Sequence, residues 1–404
     1  AAPGYTTVQN KTCNVTSFQI IFSSSNKFKV NYVTNEAGQH PDSGRAYIPV
    51  PRAVDPVVKA HDLAMIEFAG PQQERAWQFF TEFGLSGSRA EDGSLLFSAE
   101  AGAEVCVIYR PASRARFLGP TFAVRSEQDL ERLAALAGAS NPAPLDIPGQ
   151  PLAVRLTDPN GLEVKAALFS GWREMPDCGQ APAANRGPDR PRVNAPLRPE
   201  HCASRVLRLG HMVLGTPQWE VTAKFYIDTF GLIPSDVQAL PDGRPAVAFM
   251  RCDRGDEPTD HHTFVVGRLP VLDIEHAAFE VPDLDAVGMG AEVLREGGFS
   301  RAWGIGRHIL GSQIFDYWFG PDGHKFEHFA DGDLFDAARP TRYHAMSAAG
   351  LAAWGPSVPA AFLRPRLGWR EVLELVRNLF GRSGFGFAEL KLMAAAMRSK
   401  SLPD

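Results

Sequence analysis

Residues 63–71 read Leu63-Ala64-Met65-Ile66-Glu67-Phe68-Ala69-Gly70-Pro71, and residues 209–217 read Leu209-Gly210-His211-Met212-Val213-Leu214-Gly215-Thr216-Pro217. Each is an apolar run of strand type that ends in a turn. Each is followed by a helical pattern, Ala76-Trp77-Gln78-Phe79-Phe80 in one and Ala223-Lys224-Phe225-Tyr226 in the other. Each helical pattern then stops at a glycine, in Phe83-Gly84-Leu85 and in Phe230-Gly231-Leu232. The likeness continues downstream. Phe122-Ala123-Val124 matches Phe279-Glu280-Val281, and Asp158-Pro159-Asn160-Gly161 matches Gly320-Pro321-Asp322-Gly323, both with turn chemistry. The chain therefore reads as α+β, with two tandem modules each built from paired βαβββ units.

The expected organisation is an N-terminal arm over 1–55, a first module over 56–170 and a Pro/Arg/Asn-rich linker over 171–204. A second module over 205–335 and a tail over 336–404 follow, with helices near 369–380 and 388–397.

Aligning the two copies sets His211 opposite Met65, His276 opposite Gly119 and Glu327 opposite Lys165. All three residues with metal-binding chemistry fall in the second copy. Packing alone would favour similar residues in both, so the asymmetry points to a site in the second module and a scaffold in the first. The three lie in strand-like runs, 207–214, 274–281 and 325–330. Two imidazoles and one carboxylate form the facial ligand set of non-haem iron(II) oxygenases, which leaves coordination positions open. Taken singly, a histidine in a strand is more often a core or surface residue than a ligand; the combination and its neighbours carry the reading.

Those neighbours resemble a known family. The stretch from Gly304 to His328, containing Gly306-Arg307-His308 and Phe315-Asp316-Tyr317, is similar to the signature region of type I extradiol ring-cleavage dioxygenases of the vicinal oxygen chelate superfamily. The resemblance covers about 56–335 and is strongest over 205–335. It implies iron(II) held by His211, His276 and Glu327, with manganese(II) as the alternative metal. It implies Tyr317 and His308 beside the substrate, and an acid–base histidine on the strand before His276. His262 fits that last role, with His261 as the alternative. The implied reaction is cleavage of a catechol-type ring by dioxygen to a muconic semialdehyde-type product. Assembly as a homo-oligomer is also implied. At 309–311 the chain reads Ile309-Leu310-Gly311, where biphenyl-type members have Thr-Asn-Asp. Related activities are a 4-hydroxyphenylpyruvate dioxygenase, whose ligand separations are longer than the 65 and 51 residues here, and a glyoxalase or epimerase, which needs a fourth protein ligand. A metal-free binding module lacks reason to keep the triad.

Met250, Phe264, Ile309, Ile314 and Phe315 read either as an apolar pocket wall or as core. His328 alternates with Glu327 and reads as structural, and Asp331-Gly332-Asp333 reads as a strand end. Asp256, Glu257 and Asp260 read as a solvated loop.

Bulk properties agree with an enzyme of small molecules. The formal net charge is −5, so no basic surplus attracts nucleic acid or an anionic membrane. No apolar run is long enough to span a bilayer. Five cysteines at wide spacing, with no CxxC, predict free thiols and a cytoplasmic setting. Two glycosylation sequons, at Asn10 and Asn14, stand against that setting.

Overall fold

The computed structural model describes residues 47–179, 183–364, 369–380, 385–399 and 402. The predicted arm up to residue 46, with Cys13 and both sequons, lies outside the described residues.

The first module holds β1 (Asp62–Gly70), α1 (Gln73–Glu82), β2 (Ser86–Arg89), β3 (Leu95–Ser98) and β4 (Val107–Pro111). A second unit follows: β5 (Arg116–Ala123), α2 (Glu127–Ala134), β6 (Ala143–Pro144), β7 (Leu152–Thr157) and β8 (Glu163–Leu168). These form an eight-stranded sheet in the order β2-β3-β4-β1-β5-β8-β7-β6. The two first strands of the units, β1 and β5, pair antiparallel at its centre.

The second module repeats the scheme. It runs through β9 (Arg208–Thr216), α3 (Trp219–Phe230), β10 (Ile233–Ala239), β11 (Pro245–Arg251), the short β12 (Thr259–Asp260) and β13 (Phe264–Arg268). Then come β14 (Asp273–Glu280), α4 (Leu284–Glu296), β15 (Ser300–Arg307), β16 (Ile314–Phe319) and β17 (Lys325–Ala330). The sheet order is β15-β16-β17-β14-β9-β13-β11-β10, again with the two unit-opening strands paired antiparallel at the centre. The tail adds β18 (Leu334–Phe335), paired with β12, and β19 (Arg342–Ala345), which joins the sheet parallel to β10. A 3-10 turn (Ala349–Leu351) and the helices α5 (Ala360–Leu363), α6 (Trp369–Phe380) and α7 (Phe387–Ala396) complete it. The last two match the helices expected there. Among the described residues no helix is long and apolar enough to cross a membrane.

The helix of one module packs on the sheet of the other, and the arrangement is reciprocal. Phe79 and Phe80 of α1 and Phe83 at its C-cap surround Phe326 of β17, with ring centroids 5.0–6.4 Å apart. Phe230 of α3 stacks on Phe122 of β5 at 4.5 Å. Each such buried phenylalanine contributes about 1.5–3 kcal/mol of apolar burial, and side chains of both modules form one continuous core. The two matched turns bind the helices across the same interface. Asn160 Nδ2 donates to Thr222 Oγ1 of α3 at 3.0 Å, and Gln72 beside α1 donates to Asp322 Oδ1 at 3.1 Å. His328 belongs to this interface. Its ring stacks on Phe83 at 3.8 Å and its Nε2–H donates to the Phe83 carbonyl at 2.8 Å, so its structural reading holds.

Gly84 is the glycine that the interface requires. It has φ of +108°, and a Cβ there would sit 1.9 Å from the Ser204 carbonyl oxygen.

Candidate metal centre

Strand register accounts for the convergence of the triad. In the second module Ala278 of β14 faces His211 of β9 on one side and Glu327 of β17 on the other, and His276 faces Val213. The first module has the same lattice, with Thr121 between Met65 and Lys165, and Gly119 facing Glu67. The register thus reproduces the repeat alignment: Met65, Gly119 and Lys165 hold the three corresponding places.

His211 Nε2 and His276 Nε2 each lie 3.3 Å from Glu327 Oε2 and 3.4 Å from each other. One ligand atom from each residue falls within a 4.8 Å cluster, the one such group among the described residues. All three are buried. Both oxygens of Glu327 lack a hydrogen-bond donor. A fully buried carboxylate without donors is costly unless a cation accompanies it, so this donor set fits a divalent metal. Burial, only partly countered by His276, raises the Glu327 pKa, and burial lowers that of His211. A bound cation would favour the ionised form of Glu327, opposing the first direction, and the neutral form of His211, reinforcing the second.

Glu275 was not found from the sequence. Its carboxylate contacts His276 Nδ1 and Lys325 Nζ. The carboxylate aligns the ring and leaves Nε2 as the donor atom for a metal. Burial pushes the Glu275 pKa up, but Lys325 and His276 outweigh it and hold it at about 2. Simple alternation would put Glu275 and His276 on opposite faces. A bulge between Ile274 and His276 brings both to one side.

The other predicted residues gather beside the triad. His308 follows β15, and its Nδ1–H donates to the Leu351 carbonyl at 2.7 Å. A carbonyl only accepts, so in the neutral ring Nε2 accepts from the Tyr317 hydroxyl at 2.8 Å. Burial pushes the His308 pKa down and that of Tyr317 up. The His262 ring lies 4.1 Å from that of His211. It is not on a strand, however. His261 and His262 occupy the link between β12 and β13, so alternation does not apply to them. Both are buried, and their Nδ1 atoms are 2.8 Å apart. Only His262 lines the cavity over the triad.

That cavity has a volume of about 330 Å³. Its floor is His211, His262, His276, His308 and Tyr317, and its walls include Val213, Phe249, Val265 and Leu310. The tail closes it with Leu351, Phe362, Met393 and Met397. Four of the side chains named as possible pocket wall are core instead: Met250, Phe264, Ile314 and Phe315. Ile309 does not line it either. The reason is strand parity. Met250 pairs with Phe264, and Phe249 with Val265, in adjacent registers; the second pair points to the cavity. Asp260 is also corrected, because it belongs to β12 and holds Arg208 at 2.6 Å rather than lying in a solvated loop. A larger cavity of about 620 Å³, lined by Asp62, Arg208 and Arg254, contains none of the triad. Cys106, Cys178, Cys202 and Cys252 are free thiols.

The tandem modules thus carry one buried two-histidine, one-glutamate cluster, in the second module. Residues 208–328 match the family model described as glyoxalase/bleomycin resistance protein/dioxygenase superfamily, and the chain carries a domain of that superfamily. It is 32% identical over 219 residues to metapyrocatechase 2 of Cupriavidus necator, a match spanning 54% of this chain and 64% of that protein's length. Two solved structures share the fold. One is the Mn(II)-bound glyoxalase of Novosphingobium aromaticivorans (TM-score 0.63, 21% identity, 77% of this chain and 96% of that one). The other is homoprotocatechuate 2,3-dioxygenase of Brevibacterium fuscum (TM-score 0.64, 16% identity, 80% and 86%).

Proposed function

We propose that the chain is an extradiol dioxygenase that cleaves a catechol-type ring with dioxygen, using iron(II) held by His211, His276 and Glu327. The observation that carries this reading is the buried Glu327, without donors and facing two imidazole Nε2 atoms, beside an apolar cavity lined by His211, His262, His276, His308 and Tyr317. The similarity to metapyrocatechase 2 supports it. The same donors accept manganese(II).

A metal held by His211, His276 and Glu327 would supply the Lewis acidity that acidifies catechol oxygens and the open positions that dioxygen chemistry needs. The residues of the chain do the rest. Tyr317, whose hydroxyl hydrogen goes to His308, presents its oxygen as an acceptor to a substrate hydroxyl and orients it. His262 holds and moves protons at Nε2, the nitrogen not engaged by His261. The tail side chains exclude water. Lys325 is held by Glu275 and the Phe362 carbonyl, and Arg268 by Glu220 and the Pro245 carbonyl. Arg364 of the tail, which is exposed, is the one other such cation on the lining, and the walls are otherwise mostly apolar, so the cavity suits a catechol with an apolar substituent.

A glyoxalase-type reaction is the competing reading, given the manganese-bound neighbour. It needs a fourth protein ligand, and the cluster among the described residues has three. The deciding experiment is anaerobic loading with iron(II), metal analysis, and a panel of alkyl-, aryl- and carboxyl-substituted catechols scanned for yellow products. The expected result is one metal per chain and yellow product with the apolar members. Metal without product from any catechol overturns the reading.

A further inference from the structure

We infer that Asp236 is a positioning residue that acts through His261 to fix the tautomer of His262. Four side chains form one hydrogen-bonded row leading away from the cavity. His262 Nδ1 lies 2.8 Å from His261 Nδ1, His261 Nε2 lies 2.5 Å from Asp236 Oδ2, and Asp236 Oδ1 lies 2.8 Å from His344 Nε2. All four are buried. Asp236 sits on β10, and His344 on β19, the strand that the tail adds to the sheet.

The row has one consistent assignment of hydrogens when the rings are neutral. A carboxylate only accepts, so His261 and His344 both carry hydrogen at Nε2. A neutral His261 then has a bare Nδ1. Two facing nitrogens need one hydrogen between them, so His262 Nδ1 carries it. His262 Nε2 is left bare, as a proton acceptor at the cavity wall. With His261 in the other tautomer, His262 would present an N–H to the cavity instead. The Asp236 charge therefore selects acceptor over donor from two residues away.

Two further observations hold the row in place. Phe249 touches both rings, with centroids 5.7 Å and 5.3 Å away, and the Phe335 edge meets His261 at 5.3 Å. At Gly311 a Cβ would come within 3.1 Å of His261 Nδ1, so the backbone passes close against this ring. Burial raises the Asp236 pKa, yet the bonds from His261 and His344 outweigh it and hold the carboxyl at about 2, ionised at neutral pH.

The consequence for turnover rests on the dioxygenase reading, but the tautomer does not. The test uses the full chain with ¹⁵N-labelled histidine, metal-free and loaded with diamagnetic zinc(II), and reads each ring nitrogen by NMR. Wild type is expected to show His261 protonated at Nε2 alone and His262 at Nδ1 alone. Asp236→Asn, whose amide presents either donor or acceptor, is expected to lose this single pattern. In the same variant kcat should fall about 10- to 100-fold, with KM and iron content within about twofold of wild type. Asp236→Glu, which restores the carboxylate, should recover most of the loss. Nε2-protonated His262 or doubly protonated His261 in the wild type overturns the proposal, as does Asp236→Asn with unchanged spectra and kcat. The wild-type spectra decide the tautomer even when a variant does not fold. A chain that cleaves no catechol contradicts the proposed function and leaves the spectra to decide the tautomer.

Discussion

Lys165 Nζ lies 2.5 Å from Glu67 Oε1, buried at the place in the first module where Glu327 and Val213 stand in the second. The first module has a salt bridge where the second has the carboxylate proposed to bind metal. Gly119, at the place of His276, has φ of +138°, and a Cβ there would lie 1.9 Å from the Glu163 carbonyl oxygen. No ligand side chain fits at that backbone position. The prediction is structural: Lys165→Met leaves buried Glu67 with Arg110 as its remaining cation and lowers unfolding free energy by about 2 kcal/mol. Urea denaturation measures it. Metal content should stay at one per chain, and a second metal bound in wild type at saturation would contradict the silent role of this module.

Glu275 orients His276 through Nδ1. Glu275→Gln should weaken metal affinity about 10- to 100-fold while leaving the fold intact. Competition with a chelator of known affinity measures the change. Wild-type affinity would show that the contact with Lys325 is its only role.

Tyr317 is tied to His308, and His308 to the Leu351 carbonyl of the tail. Tyr317→Phe should retain metal and lose about 10²-fold in kcat, the lower end of the scale for a group that positions or receives a transferring proton. Loss of metal in this variant would instead make the tyrosine a support for the triad.

His262→Asn should keep iron and catechol binding and slow turnover by about 10²–10⁴-fold. The same phenotype in His261→Asn is now expected to be smaller, because His261 does not line the cavity and acts through His262. Stopped-flow turnover and iron content compare the two.

Asp236 also predicts an acid limb. Its folded pKa, about 2, lies below the ordinary aspartate value of 3.8. A depressed carboxyl stabilises the fold fully above its unfolded pKa and loses that contribution as pH falls toward 2. The loss amounts to about 2 kcal/mol. Denaturation of wild type and Asp236→Asn from pH 5 to pH 2 should show their stability difference shrinking; a constant difference would contradict the shift.

Repeat comparison made the triad legible, because three residue identities change between copies while the strand lattice is kept. The modules and both long tail helices follow from period and turn chemistry. Other features depend on geometry that the sequence does not carry. Which face of β11 and β13 meets the cavity is a choice between two parities, and Phe249–Val265 against Met250–Phe264 is decided only by packing. Glu275 is hidden by a bulge. The row from His262 to His344 joins positions 25 and 108 residues apart, through a tail strand whose partner was not predictable.

The most direct test of the central claim is a single-turnover reaction of the anaerobically iron-loaded chain with a catechol and ¹⁸O₂, read by mass spectrometry beside Glu327→Ala. The account predicts a ring-opened yellow product carrying both labelled oxygen atoms from wild type, and neither bound metal nor product from the variant. An intact ring, or full metal occupancy and turnover in Glu327→Ala, would contradict it.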